Sequence, residues 1–206
     1  MSHDKYGTDQ APDCYPGTEV LVNLLDLHDA DDLDEAERYL NEVALARLEF
    51  VDPPYNVATL KRIHRTLFAE VYEWAGKIRT LAISKGDTRF CSPEFIEKEI
   101  GKELSKIANA GWFEGYPRHL LVASIAESYG TINVAPPFRE GNGRTQRILF
   151  EWIILNTGYT IDWSLADRQE WIDACIHSYY GDDDGLTGVF DRCIGTKIQE
   201  DQPLNQ

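Results

Sequence analysis

Apolar residues recur at three- and four-residue spacing along most of this chain, so the pattern predicts helices nearly throughout. Leu33, Ala36, Leu40, Val43, Ala44 and Leu48 share one face of a helix that Asp31 or Asp32 can cap and that Asp52-Pro53-Pro54 stops. Leu60, Ile63, Leu67 and Val71 predict a second helix over 57–73, closed by Trp74-Ala75-Gly76. Pro93 after Ser92 suits a helix start, and Phe95, Ile96, Ile100, Leu104 and Ile107 follow at helical period. A fourth helix is expected over 117–132 (Leu120, Leu121, Ile125, Tyr129, Ile132) and a fifth over 144–155 (Ile148, Leu149, Trp152, Ile153). Beyond Gly158, a good helix-ending residue, 159–163 reads as a connection, with further helices at about 165–178 and 186–198. One stretch breaks the period. Thr80 to Ser84 alternates enough for a strand, Lys85-Gly86-Asp87 is a turn, and Thr88 to Cys91 can return as a β-hairpin. The expected fold class is mainly α: a helical bundle with one small hairpin.

Composition narrows the picture. With 206 residues, 43% of them hydrophobic, and no Ser/Gly- or Pro-rich linker, the economical expectation is one domain over 1–206 with its core at about 15–195. A net charge of -15 argues against nonspecific nucleic-acid binding, because such a surface repels phosphates. No run of about 18 apolar residues and no signal-peptide core are present, so a soluble, cytoplasmic chain is expected. Cys14, Cys91, Cys175 and Cys193 form no C-x-x-C pair and read as reduced, buried thiols. His3, His28, His64, His119 and His177 show no metal-binding spacing, and surface or packing roles are expected for each. Asp182-Asp183-Asp184-Gly185 lacks calcium-loop spacing and reads as a solvated turn that caps the next helix.

The candidate chemistry lies between the fourth and fifth helices, in Ala135-Pro-Pro-Phe-Arg-Glu-Gly-Asn-Gly-Arg-Thr-Gln-Arg147. Gly141 and Gly143 remove the Cβ atoms that keep backbone N–H groups off an anion, and the N–H groups of the following helix point back at the loop with a favourable dipole. Asn142, Arg144 and Arg147 add donors and positive charge, with Arg139 as a further member of a local basic patch. The plainer alternative is a tight interhelical turn capped by Asn142, with Arg144 and Arg147 solvated and Glu140 paired to Arg139 or Arg144.

This run resembles the Fic family of nucleotidyl transferases, whose motif is H-P-F-x-[D/E]-G-N-[G/K]-R-x-x-R. Pro137, Phe138, Glu140, Gly141, Asn142, Gly143, Arg144 and Arg147 match, while Pro136 stands where the family has histidine. A second stretch, Trp74-Ala-Gly-Lys-Ile-Arg79 and the hairpin after it, is similar to the W-A-G-x-x-R segment and target-binding flap of toxin-type Fic proteins. Tyr15-Pro16-Gly17 also fits, so the resemblance spans roughly 15 to 195 and is nearest to the compact FicT class. It implies a Fic fold and transfer of AMP from ATP to a hydroxyl side chain of a target protein. Glu140 would then hold Mg²⁺, Gly141, Asn142 and Gly143 would form the anion hole, Arg144 would meet the β-phosphate and Arg147 the γ-phosphate, and Phe138 would anchor the loop. Flap residues Ser84, Lys85, Gly86, Asp87 and Thr88 would pair with an extended target segment by strand addition. The related Doc kinases usually carry Ala-Asn-Lys where this chain has Gly-Asn-Gly, which favours AMP transfer.

The family histidine is the general base, and proline has no proton acceptor. Losing a positioned base costs about 100- to 10,000-fold in rate, whereas nucleotide binding need not fall with it. A histidine codon becomes a proline codon by one base change, and Glu140, Asn142 and both arginines are intact around it, which favours recent loss; engineered inactivation and a natural pseudoenzyme that binds nucleotide or a partner without turnover stay open. Thr196-Lys-Ile-Gln-Glu200-Asp201 bears a distant likeness to the inhibitory [ST]-x-x-x-E-[GN] motif but departs from it at Asp201. The FicT likeness therefore implies a separate small antitoxin that supplies the inhibitory glutamate, and type II topoisomerase subunits as candidate targets.

Overall fold

The computed structural model describes residues 12–85 and 88–198. Gly86 and Asp87 of the expected flap, Glu200 and Asp201 of the distant inhibitory likeness, and His3 lie outside the described residues. The order is α1 (Ala30–Leu45), α2 (Val57–Phe68), β1 (Ser84–Lys85), β2 (Thr88–Arg89), α3 (Ile96–Asn109), α4 (Arg118–Asn133), α5 (Asn142–Asn156), β3 (Tyr159–Ile161), α6 (Arg168–Tyr179), α7 (Asp184–Cys193) and β4 (Ile194–Lys197). The expected mainly helical class holds. None of the described helices is long and apolar enough to cross a membrane.

The described residues divide into two compact units, one within 12–50, 56–101 and 135–149, the other within 51–55, 102–134 and 150–198. In the first, α1 packs on α2. Asp29, rather than Asp31 or Asp32, caps α1, accepting from the backbone N–H groups of those two residues; an N-cap must precede the first turn whose orphan donors it satisfies. The buried ridge of α1 is Leu33, Glu37 and Asn41. It runs at four-residue spacing through two polar side chains, so the expected apolar face is only partly the packed one. Asn56 and Thr59 form a reciprocal capping box at the start of α2. That helix ends at Phe68, short of the expected Glu73, and the chain turns through 69–76 so that Val71 and Tyr72 are buried from a turn instead of a helix.

The hairpin is shorter than the alternation suggested: Ser84 pairs with Arg89 and Lys85 with Thr88, while 80–83 lie outside the ladder. Pro93 opens a single 3₁₀ turn that leads into α3.

In the second unit α4, α6 and α7 pack together around Tyr129. Its ring meets Phe150, Trp171 and Phe190 edge-on, with centroids 5.0, 5.0 and 5.5 Å away. The 159–163 segment, expected as a connection, contains β3, and residues 194–197 of the last expected helix form β4, antiparallel to it. Thr160, Ile161, Ile194 and Thr196 are β-branched, and that preference outweighed the weak helical period.

Candidate functional site

The chain between α4 and α5 forms neither helix nor strand, so its polar backbone groups need other partners. Pro136 O accepts from Arg79 Nε (2.8 Å), and Pro137 O accepts from the Arg79 backbone N–H (2.9 Å). Asn142 closes the next residue from both sides: its Nδ2 donates to Phe138 O (2.8 Å) and its Oδ1 accepts from Phe138 N–H (2.7 Å). Glu140 O accepts from His64 Nε2 (3.0 Å), and Gly141 O accepts from Thr145 N–H and Oγ1. The carbonyls of Pro136, Pro137, Phe138, Glu140 and Gly141 are thus tied back into the protein. Two of the loop's residues are prolines without an N–H, and the first N–H groups of α5 have no acceptor within the helix, an arrangement that can receive an anion.

His64, expected to be a surface or packing residue, is fully buried at the loop, stacked on Phe138 at 3.8 Å and on Phe68 at 4.5 Å between centroids. Its Nδ1 accepts from Gly76 N–H (2.9 Å), so the proton is on Nε2 and points to the Glu140 carbonyl. Burial pushes its pKa down to about 3; the bond to Glu140 opposes the shift and the charge of Arg144 adds to it. Both nitrogens are committed, so His64 braces the loop and has no lone pair for a substrate hydroxyl. Gly76 has φ +76°, and a Cβ there would lie 2.8 Å from Lys61 O, so this contact depends on glycine.

The two motif glycines differ in kind. Gly141 has φ +75°, and a Cβ would fall 2.3 Å from the Phe68 ring, whereas a Cβ on Gly143 meets no atom within 4 Å. Gly141 is required by the protein's own packing; Gly143 keeps open space at the start of α5. Phe138 is fully buried and anchors the loop as expected.

Glu140 is half-buried, and its Oε1 accepts from Gly141 N–H (2.9 Å). The plainer pairing of Glu140 with Arg139 or Arg144 gives way to other partners. Arg139 is 7% exposed and pairs with Asp13, so it belongs to the core and not to a basic patch. Arg144 pairs with Glu37 of α1 and lies 4.7 Å over the Phe68 ring. Arg147 is half-buried one helical turn after Arg144. The Asn142 side chain is spent on Phe138, so what it brings to the site is loop shape and a backbone N–H.

Arg79 links the flap to the loop. Besides Pro136 O, its guanidinium donates to Leu81 O (2.7 Å) before β1 and Cys91 O (2.6 Å) after β2. Sequence reasoning recognised Arg79 within a motif without a role, and missed Glu37 and His64. Their signals were present: Glu37 lies four residues after Leu33 on the packed face, and His64 follows Ile63 among the apolar positions of α2.

Three comparisons bear on this arrangement. The Fic/DOC family model matches residues 54–154. The "Probable protein adenylyltransferase Fic" of Salmonella typhimurium is 34% identical over 93% of this chain and 96% of its own length. "Protein adenylyltransferase VbhT" of Bartonella schoenbuchensis is 31% identical over 98% of this chain and 44% of its own. Among solved structures, BepC of Bartonella tribocorum with bound AMPPNP superposes with TM-score 0.82 at 23% identity, covering 96% of this chain and all of that one. The N-terminal Fic domain of a Bep effector from Bartonella quintana with bound ADP gives 0.83 at 24% identity, over 92% and 97% of the two chains.

Two outcomes follow from the packing. Gly141→Ala will lower unfolding free energy by about 3 kcal/mol or more, since it adds left-handed strain to a clash with a buried ring, while Gly143→Ala will change it by less than about 1 kcal/mol; equal urea midpoints for the two variants would contradict this. His64 is neutral in the fold and gains a proton on unfolding below about pH 6.5. Its contribution is therefore complete above pH 6.5 and lost as pH falls toward 3. Between pH 6.5 and 4.5 the wild-type chain will lose stability more steeply than His64→Gln, by up to about 1.4 kcal/mol per pH unit; parallel urea-derived profiles would contradict the assignment.

Proposed function

We propose a function from one premise: this chain belongs to the Fic/DOC family. It binds ATP at the 136–147 loop, and the reaction its site is built for is transfer of AMP to a hydroxyl side chain of a target protein. Transfer is impaired in this chain by Pro136. The relatives named as adenylyltransferases support the reaction class, and AMPPNP or ADP in proteins of the same fold supports the nucleotide.

The reaction needs a bound triphosphate, charge neutralisation, and an acceptor for the proton of the attacking hydroxyl as pyrophosphate leaves. The α5 N-terminus, Arg144 and Arg147 suit the phosphates, with β and γ as their respective partners by family resemblance. Glu140 suits Mg²⁺, because that ion takes one or two carboxylates together with substrate phosphates; no group of three or more His, Cys, Asp or Glu ligands gathers among the described residues, so Glu140 would act with the phosphates and not within a protein cage. Mg²⁺, when bound, neutralises charge on the phosphates. Proton removal is what the chain lacks. The Pro136 ring has no acceptor, its carbonyl is held by Arg79, and His64 is fully committed.

The commitment of the Pro136 carbonyl and of both His64 nitrogens carries the reading of impairment, and it equally favours the alternative of a nucleotide- or partner-binding module without turnover. The flap, tied by Arg79 to the Pro136 carbonyl, is the proposed docking edge for an extended target segment. A small antitoxin that supplies an inhibitory glutamate, and a cytoplasmic toxin role, complete the proposal on the FicT likeness alone.

Pro136→His will transfer label from α-³²P-ATP to protein in a bacterial lysate, with a type II topoisomerase subunit as the first purified target to try. The unaltered chain will transfer at least about 100-fold less. If neither chain labels any protein, the transferase reading fails and the binding module stands; equal labelling by both contradicts the impairment.

A further inference from the structure

Glu37 belongs to no motif, yet it is a carboxylate at 3% exposure beneath the loop. Burying a charge is costly unless each oxygen is partnered, and here both are. Oε1 pairs with Arg144 Nη2, and Oε2 accepts from the Tyr72 hydroxyl at 2.6 Å. Tyr72 is itself 1% exposed and stacks on Trp74 at 4.3 Å, so the phenol is fixed by the turn that follows α2. Burial, and then the charge of Glu37, raise its pKa far above that of a free phenol, so it remains a donor. On its other side the Arg144 guanidinium lies over Phe68, the ring that Gly141 packs against.

A guanidinium on a three-carbon stem loses rotamer freedom when it grips a phosphate, and that loss weakens binding unless it has been met beforehand. One N–H edge of Arg144 is engaged by Glu37, and a guanidinium has five N–H donors in a rigid fork. We propose that Glu37, held by Tyr72, is a positioning residue that pre-sets Arg144 for the phosphate beyond the α-position of a bound nucleotide. The inference rests on the reading of this loop as an ATP site.

The sign of one measurement separates this from the opposite role. Glu37 is an anion beside an anion site, so if it merely competed with phosphate for Arg144, neutralising it would tighten nucleotide binding. If it positions Arg144, neutralising it loosens binding, and only for nucleotides that carry a β-phosphate.

The test is titration of the full chain with Mg²⁺-ATP, Mg²⁺-ADP and AMP by competition against a fluorescent ATP analogue, for the unaltered chain, Glu37→Gln and Tyr72→Phe. Glu37→Gln will weaken ATP and ADP about tenfold and leave AMP within about twofold; Tyr72→Phe will act in the same sense and less strongly. Circular dichroism melts confirm folding, and if Glu37→Gln does not fold, Tyr72→Phe, which keeps the carboxylate, decides. Unchanged or tighter ATP binding in the folded variant overturns the proposal, as does an equal loss for ATP, ADP and AMP, the mark of general loosening. Failure of the unaltered chain to bind ATP removes the site reading itself, and the role of Glu37 with it.

Discussion

Everything at this site depends on how an irregular loop satisfies its carbonyls. The segment from Pro136 to Gly141 has no ladder or helix to absorb them, and a buried unpaired carbonyl costs on the order of 1–3 kcal/mol. Arg79, Asn142, His64 and Thr145 each supply donors, from α2, from the segment before the flap, and from the first turns of α5. With the carbonyls of Pro136, Pro137, Phe138, Glu140 and Gly141 engaged by the protein, what the loop turns outward is N–H donors, arginines and the Glu140 carboxylate. On the proposed reading, this local accounting of donors is what lets an acidic chain of net charge -15 offer a site to an anion.

The same economy governs the charges. Of the arginines in this segment, Arg139 is drawn into the core by Asp13, Arg144 is held by Glu37, and Arg147 continues the α5 face. Buried ion pairs give little net stability because desolvation offsets attraction. What they supply is geometry: each fixes a long cation relative to the loop. Arg79 does the same without a carboxylate, joining the two ends of the hairpin to the carbonyl of the residue that stands where the base would be.

Much of this was legible from the residues. The central helices appeared where their apolar period placed them, and the loop between them was marked by Gly141, Asn142 and Gly143. Less legible was what depends on contacts distant in sequence. Glu37 drew no expectation, because period analysis assigns polar residues to the solvent face and cannot see a partner 107 positions away. His64 was passed over for lack of a spacing motif, although its role is a hydrogen bond to a loop 76 positions on. Helix ends were misplaced where a turn buries its own side chains, as at Val71 and Tyr72. The strand pair of Tyr159–Ile161 and Ile194–Lys197 was missed because three or four residues are too few for alternation to show.

The central claim is that the nucleotide cradle is complete and independent of the group at position 136. Calorimetric titration of Mg²⁺-ATP into the unaltered chain and into Pro136→His tests it most directly. The account predicts micromolar dissociation constants that agree within about threefold between the two proteins. An unaltered chain that binds no ATP while Pro136→His binds it would contradict the claim, because the proline would then have broken the cradle as well as removed the base.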